Sequence, residues 1–345
     1  MSRRSSALTA AALSLLPVGQ PLLLGTLTGI TTATTAVVLH APAAVAQDAS
    51  AVARIAKAIT VRIEGATQGS GVLVKREGNR YTVLTAWHVV SGNRPGEELA
   101  IFTPDGKEHQ LEQGSIERLG EVDMAVLTFS SGGSYEVASI GDIKSVSSGL
   151  PIFVSGFPLP STAVPTSIWR FLKGDVIANA TVAIPNGYQL LYSNPTLPGM
   201  SGGSVLNRQG KLVGIHGKSE KDDEASMKTG KAISTGTNQA VPISYYKQVS
   251  TGQAVVASRT QATSADDYLV QAKAEAGNGN YEEVIRLANQ SLALRPSAAG
   301  YAYRAIAKHE LKDYQGALAD NNKAIEINPQ DAPVYYNRGI AKVEL

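Results

Sequence analysis

The chain has 345 residues, room for two or more domains and a substantial core. Charged residues make up 17% and the formal net charge is +2; Arg3 and Arg4 are the only Lys, Arg, Asp or Glu in residues 1–46, and beyond them 29 basic residues face 29 acidic ones. That balance excludes an electrostatic nucleic-acid binder. With no cysteine in the chain, disulfides, cysteine catalysis and thiolate metal sites are excluded too, and core packing alone must hold the fold.

Residues 1–46 read as a signal peptide or leader. Arg3-Arg4 gives a positive start, residues 7–16 are apolar, and Ala44-Val45-Ala46 suits a small-residue cleavage site just before Asp48. A second apolar stretch, 21–39, leaves an uncleaved membrane anchor as the other reading. Cleavage implies an exported, periplasmic or extracellular protein, and membrane contact is expected only if the leader stays.

Residues 51–250 follow with short apolar runs: 59–63, 72–74, 81–85, 99–103, 122–129, 152–155, 167–180, 188–192, 211–216 and 239–243. Turn signals such as Pro104-Asp105-Gly106 and Pro185-Asn186-Gly187 separate them. Many short strands between such turns predict an all-β domain, and about 200 residues suit two small packed barrels. Gly-Gly at 132–133 and 202–203 fits no dinucleotide or phosphate loop.

Residues 251–264 are rich in Ser, Thr, Gln and Ala and read as a linker. The pattern then becomes helical and repeats. Asn280-Tyr281-Glu282-Glu283 aligns with Asp313-Tyr314-Gln315-Gly316, and Leu294-Arg295-Pro296 with Ile327-Asn328-Pro329, 33 residues on. Small residues recur at Ala272, Ala305 and Gly339, and at Ala317 and Ala324, where Val284 and Ser291 make a weaker first copy. This period resembles tetratricopeptide repeats, over 265–297, 298–331 and a partial 332–345. Such repeats imply a groove for a protein partner.

Ser201 sits in Pro198-Gly199-Met200-Ser201-Gly202-Gly203-Ser204, a setting for a nucleophile beside exposed backbone N–H groups. Of five histidines, His40 lies in the leader, His109 in a polar stretch and His309 on a repeat helix. His88 follows an apolar strand in Thr85-Ala86-Trp87-His88, and His216 ends another. Asp123 precedes the apolar run 124–127; it is either an orienting acid or a turn cap.

Together these pieces resemble the chymotrypsin-like serine proteases. Thr85-Ala86-Trp87-His88 is similar to their Thr-Ala-Ala-His, Asp123-Met124-Ala125-Val126-Leu127 to their Asp-Ile-Ala-Leu-Leu, and Gly199-Met200-Ser201-Gly202-Gly203 to their Gly-Asp-Ser-Gly-Gly. The order His, Asp, Ser is theirs, and the spacings of 35 and 78 residues suit the trimmed bacterial members. The resemblance implies a double-barrel fold with His88 as base, Asp123 as orienter and Ser201 as nucleophile. The Gly199 and Ser201 N–H groups would form the oxyanion hole. Met200 replaces the aspartate that binds a new N-terminal amine in the digestive enzymes, so that activation switch is not expected.

Val213-Gly214-Ile215-His216-Gly217 also resembles the Ile-Gly-Ile-His-Trp-Gly of glutamyl endopeptidases, with Thr196 at their pocket threonine. That likeness implies substrate binding by Thr196 and His216 and cleavage after acidic residues; Gly217-Lys218 departs from the motif. The other reading of His216 is a buried strand-end histidine. The expectation is therefore a multidomain, exported serine endopeptidase acting on proteins or peptides, with an all-β double-barrel domain and an all-α repeat domain. No cofactor or metal is implied. The second reading is a silent protease fold serving as an adaptor. A stress-response chaperone-protease is a third, weakened because such enzymes usually carry PDZ domains and none fits here.

Overall fold

A computed structural model describes residues 48–65, 67–92, 98–112, 114–222, 233–253 and 262–345. The expected leader, with His40, and most of the expected linker lie outside these residues. The first element is a helix the strand pattern did not suggest, α1 (Ala49–Ile59). Its Val52, Ala56 and Ile59 lie four and three residues apart, one helical face, and all three are buried. Asp48 caps it by accepting the Ala51 N–H.

Seven strands follow: β1 (Thr60–Glu64), β2 (Gln68–Glu77), β3 (Arg80–Thr85), β4 (Ala100–Phe102), β5 (Glu108–Gln110), β6 (Glu117–Arg118) and β7 (Ala125–Ser130). They form one antiparallel sheet in the order β5-β4-β1-β2-β3-β7-β6. One-turn helix α2 (Trp87–Val90) interrupts the chain after β3. Alternating side chains put Val61, Ile63, Tyr81, Val83, Leu127 and Phe129 into one core.

The next six strands are β8 (Pro151–Gly156), β9 (Arg170–Ile184), β10 (Tyr188–Tyr192), β11 (Ser204–Asn207), β12 (Leu212–Asp222) and β13 (Ile233–Pro242). They close into a barrel ordered β10-β13-β12-β11-β8-β9. Closure removes edges that would otherwise expose unpaired backbone groups. A second cluster, including Val72, Leu84, Met124, Phe153, Leu206 and Ile215, joins the sheet and the barrel and takes in α1. Each such fully buried aliphatic or aromatic side chain contributes about 1.5–3 kcal/mol, the source of stability left to a chain without cysteine.

Beyond α3 (Ser244–Ser250) come five helices: α4 (Ala265–Gly277), α5 (Tyr281–Leu294), α6 (Ala298–Glu310), α7 (Tyr314–Ile327) and α8 (Ala332–Val343). Their starts at Ala265, Ala298 and Ala332, and at Tyr281 and Tyr314, carry the sequence period into space. Ala272, Ala305, Ala317 and Ala324 are buried where the helices meet. Val284 and Ser291 are buried as well, the Ser291 hydroxyl donating to the Ala265 carbonyl at 2.9 Å.

The helices pack directly on the barrel. Leu269 and Val270 of α4 share a core with Ala178, Ala180 and Val182 of β9. Asp267, at the third position of α4, completes a capping box with Ser264. Its Oδ1 also accepts the N–H groups of Thr181 (2.6 Å) and Val182 (3.2 Å), while Asp266 accepts the Asn179 N–H at 2.9 Å. At the far end, Pro333 of α8 lies against Gly236 of β13. The face that α4 presents is therefore taken by the barrel itself. No helix among the described residues is long and apolar enough to cross a membrane.

Candidate active site

The pairing of β3 with β7 sets Thr85 opposite Ala125, so the segments just beyond both residues emerge together. His88 leaves on α2 and Asp123 sits two residues before β7. A helix end has backbone N–H groups without intrahelical partners. Asp123 Oδ1 accepts that of His88 at 2.9 Å, and Oδ2 lies 2.7 Å from His88 Nδ1. One carboxylate thus caps the turn and aims the ring. It is itself pinned by the turn between β9 and β10, where the Asn186 carbonyl accepts the Asp123 N–H at 2.8 Å.

The Asp123 side chain is only 6% exposed and that of His88 is 40% exposed. Burial alone would raise the Asp123 carboxyl; hydrogen bonds from His88 and Tyr188, with the charge of His88, outweigh it and hold the group below the ordinary carboxylate range. A carboxylate only accepts, so Nδ1 carries the proton and Nε2 keeps the lone pair that a base needs.

Ser201 lies in the loop between β10 and β11. Its Oγ donates to the Gly217 carbonyl at 2.9 Å, so the serine hydroxyl is turned toward β12 and not toward His88. The loop is held from behind. Leu159 N–H donates to the Pro198 carbonyl at 2.8 Å, and Ser70 Oγ donates to the Gly199 carbonyl at 3.1 Å. Both peptide planes flanking Gly199 are therefore fixed. Gly199 has φ 92°, and a Cβ there would stand 2.5 Å from Leu159 N and 2.9 Å from the Phe157 carbonyl, which only glycine avoids. The N–H groups of Gly199 and Ser201 have no protein acceptor among the described residues.

Ser70, on β2, belongs to none of the motifs of the sequence. It ties the two halves of the site together. Its N–H donates to the Ser201 carbonyl at 2.8 Å, its carbonyl accepts Thr85 Oγ1 at 2.7 Å, and its Oγ accepts the Phe157 N–H at 2.8 Å. Met200 points away from the site into the barrel core beside Val154, Tyr192 and Val205, fully buried.

The residues expected to read the substrate are nearby but engaged. Thr196 Oγ1 donates to Asn238 Oδ1, so its proton is spent. Asn238 in turn donates to the carbonyl of Asn194. His216 is 2% exposed and its Nδ1 lies 2.6 Å from the Tyr192 hydroxyl. Burial, then the neighbouring His88, lowers its pKa to about 3, so the ring is neutral at working pH. Lys218 is exposed, with Nζ 5.7 Å from the centroid of the Tyr188 ring. His109, for all its polar stretch, is half-buried with its ring tilted 4.8 Å from that of Phe129 and its Nε2 beside Thr103 and Tyr135, and His309 on its repeat helix is half-buried as well. Among the described residues no group of three His, Cys, Asp or Glu could hold a metal.

A seven-stranded sheet, a closed six-stranded barrel, a His-Asp pair and a serine loop whose Gly202 packs against Thr85 and Ala86 define a class, and comparison with known proteins agrees. Residues 69–215 match the family model for the trypsin-like peptidase domain and form such a domain, followed by an all-helical region. Among similar curated proteins are the serine protease Do-like HtrA of Bacillus subtilis (strain 168), 28% identical over 178 residues, and that of Lactobacillus helveticus, 25% identical over 187 residues. These matches cover 51% and 53% of this chain and 38% and 43% of the relatives. The serine protease HtrA-like of Staphylococcus aureus (strain USA300) is 31% identical over 160 residues, 43% of this chain and 19% of that protein. The chain thus spans about two fifths or less of the length of these relatives. They are named Do-like and HtrA-like proteases, whereas Thr196 and His216 had suggested glutamyl endopeptidases.

Proposed function

We propose that this chain is a serine endopeptidase that hydrolyses peptide bonds in proteins or peptides through an acyl-enzyme. The observation that carries the reading is the pair of N–H groups next to a serine, those of Gly199 and Ser201, uncommitted among the described residues and on peptide planes whose carbonyls are held, Pro198 by the Leu159 N–H and Met200 by the Gly203 N–H. In this mechanism Ser201 Oγ turns from Gly217 toward His88, gives its proton to Nε2 and bonds to the scissile carbonyl carbon. The two N–H groups take the charge that develops on the carbonyl oxygen, where one such donor supplies about 3 kcal/mol. His88 returns the proton to the leaving amine as the C–N bond breaks, and water then repeats the sequence to release the acid. Asp123 holds the tautomer and balances the imidazolium.

The boundaries that fit this reading are 51–250 for the peptidase domain and 265–345 for tetratricopeptide repeats. Residues 1–46 support export. The repeats would offer a partner only the surfaces that β9 and β13 leave free. A preference for Glu, and secondarily Asp, before the scissile bond would depend on the tautomer in which Tyr192 gives its proton to His216 Nδ1 and not to the Gln239 carbonyl 3.1 Å away, leaving Nε2–H as donor, and on Lys218 for charge. The adaptor reading draws on one observation, the Ser201 hydroxyl resting on Gly217. Digestion of a peptide library by residues 47–345, with Ser201→Ala alongside, tests both. Cleavage by the parent only, after Glu or Asp, is expected. Cleavage after Arg, Lys or large apolar residues would remove the acidic preference, and no cleavage would favour the adaptor.

A further inference from the structure

Asp123 Oδ2 receives a second hydrogen bond, from a residue 65 positions away in sequence: the hydroxyl of Tyr188 at the start of β10. Tyr188 is 2% exposed and packs in the cluster that joins the sheet to the barrel. Its ring occupies the space over Gly217. A Cβ on Gly217 would overlap the Tyr188 hydroxyl and ring carbons, so the absent side chain at 217 is what lets the tyrosine reach the carboxylate. The carbonyl of the same Gly217 holds the Ser201 hydroxyl.

We propose that Tyr188 is a positioning residue of the catalytic triad: its hydroxyl, admitted by Gly217, fixes the Asp123 carboxylate that in turn aims His88. This inference rests on the proposed peptidase function. Among the described residues the Asp123 carboxylate has three donors, and two belong to His88, the residue it must orient. Tyr188 is the donor that holds Asp123 independently of His88. Burial, then the charge of Asp123, raises the Tyr188 hydroxyl far above its ordinary range, so it remains a donor throughout the working pH range. Besides Asp123 and His88, the titratable groups facing it are Tyr192 on its own strand and Lys218 on β12.

The consequence is chemical. The Tyr188 O–H shares Oδ2 with the His88 Nδ1–H and dilutes the charge felt by the imidazolium. Without it, the carboxylate is freer to turn and the imidazolium is held more strongly. Tyr188→Phe should therefore lower the maximal rate and move the acid limb to higher pH.

The test is the rate of Ser201 labelling by a fluorophosphonate between pH 5 and pH 9, in the full chain without residues 1–46. The parent is compared with Tyr188→Phe and with Gly217→Ala, which keeps the hydroxyl but displaces the ring. Both variants are expected to label about tenfold more slowly at neutral pH, with the acid limb shifted upward. A variant with the parent's rate and profile would overturn the inference. So would a slower rate with an unshifted limb, the mark of a merely structural change. If Tyr188→Phe fails to fold, Gly217→Ala carries the test alone. An unlabelled parent would instead remove the peptidase reading, and this inference with it.

Discussion

The most informative substitution behind the reacting atoms is Ser70→Ala. Ser70 Oγ receives the Phe157 N–H at 2.8 Å and donates to the Gly199 carbonyl at 3.1 Å, and the residue is fully buried. Removing the hydroxyl leaves the half-buried Phe157 N–H without its acceptor, at a cost of about 1 kcal/mol of stability. It also frees the Gly199–Met200 peptide plane that links the Gly199 and Ser201 N–H groups, while Leu159 still holds the plane of the first and Gly203 that of the second. Outright loss of an oxyanion donor costs about 2.7–4 kcal/mol in the transition state, so loosening the peptide that sets the two donors' relative angle should cost about 1.4 kcal/mol, a tenfold fall in kcat. KM should stay unchanged, because the ground-state carbonyl does not need the donor in place. Thermal unfolding and steady-state kinetics on a cleaved library peptide read both effects. A variant that unfolds earlier but keeps the parent's kcat would refute the argument that Ser70 holds the oxyanion loop.

Two further expectations concern the frame of the site. Asp267→Asn removes an acceptor from the N–H groups of Thr181 and Val182 or of Thr263 and Ser264, and should destabilise the chain by about 2–4 kcal/mol, read by denaturant unfolding. Burial would raise this carboxyl, but the backbone and Ser264 hydrogen bonds dominate and hold it at about 2, below its ordinary value of 3.8. The stability it contributes is therefore present above about pH 4 and lost as pH falls toward 2, and the difference between parent and variant should vanish there. Met200→Asp would bury a carboxyl in the barrel core and should cost about 3–5 kcal/mol at neutral pH. The core favours the protonated acid, so this variant should be less unfavourable at pH 4 than at pH 7. A Met200→Asp chain as stable as the parent at pH 7 would mean that position 200 has a charge partner after all.

How much of this was legible in the sequence follows from where each residue sits. His88, Asp123 and Ser201 each adjoin an apolar run, so local patterns exposed them one at a time and their order joined them. The helical repeat was legible for the same reason: its small residues recur at a fixed period, and Ala272, Ala305, Ala317 and Ala324 are buried where they recur, while Gly339 on the last helix is exposed. Ser70 and Tyr188 were not legible. The contact of Ser70 with Gly199 spans 129 residues, and that of Tyr188 with Asp123 depends on the β9–β10 turn bringing Asn186 onto the Asp123 N–H. Register, rather than composition, makes both. α1 was missed because its three buried residues lead straight into β1, and a short apolar run near a strand reads as more strand. Thr196 and His216 were noticed, but the hydrogen bonds that occupy them come from Asn238 and Tyr192, residues that no local motif singles out.

Stoichiometry of covalent labelling by a fluorophosphonate is the most direct test of a competent nucleophile, because it needs no substrate. The parent without residues 1–46 should take up one probe per chain, localised to Ser201 by peptide mass spectrometry. Ser201→Ala should take up none, and His88→Ala should label orders of magnitude more slowly. A correctly folded parent that stays unlabelled, or labels as fast without His88 as with it, would contradict the claim that these residues form a working triad.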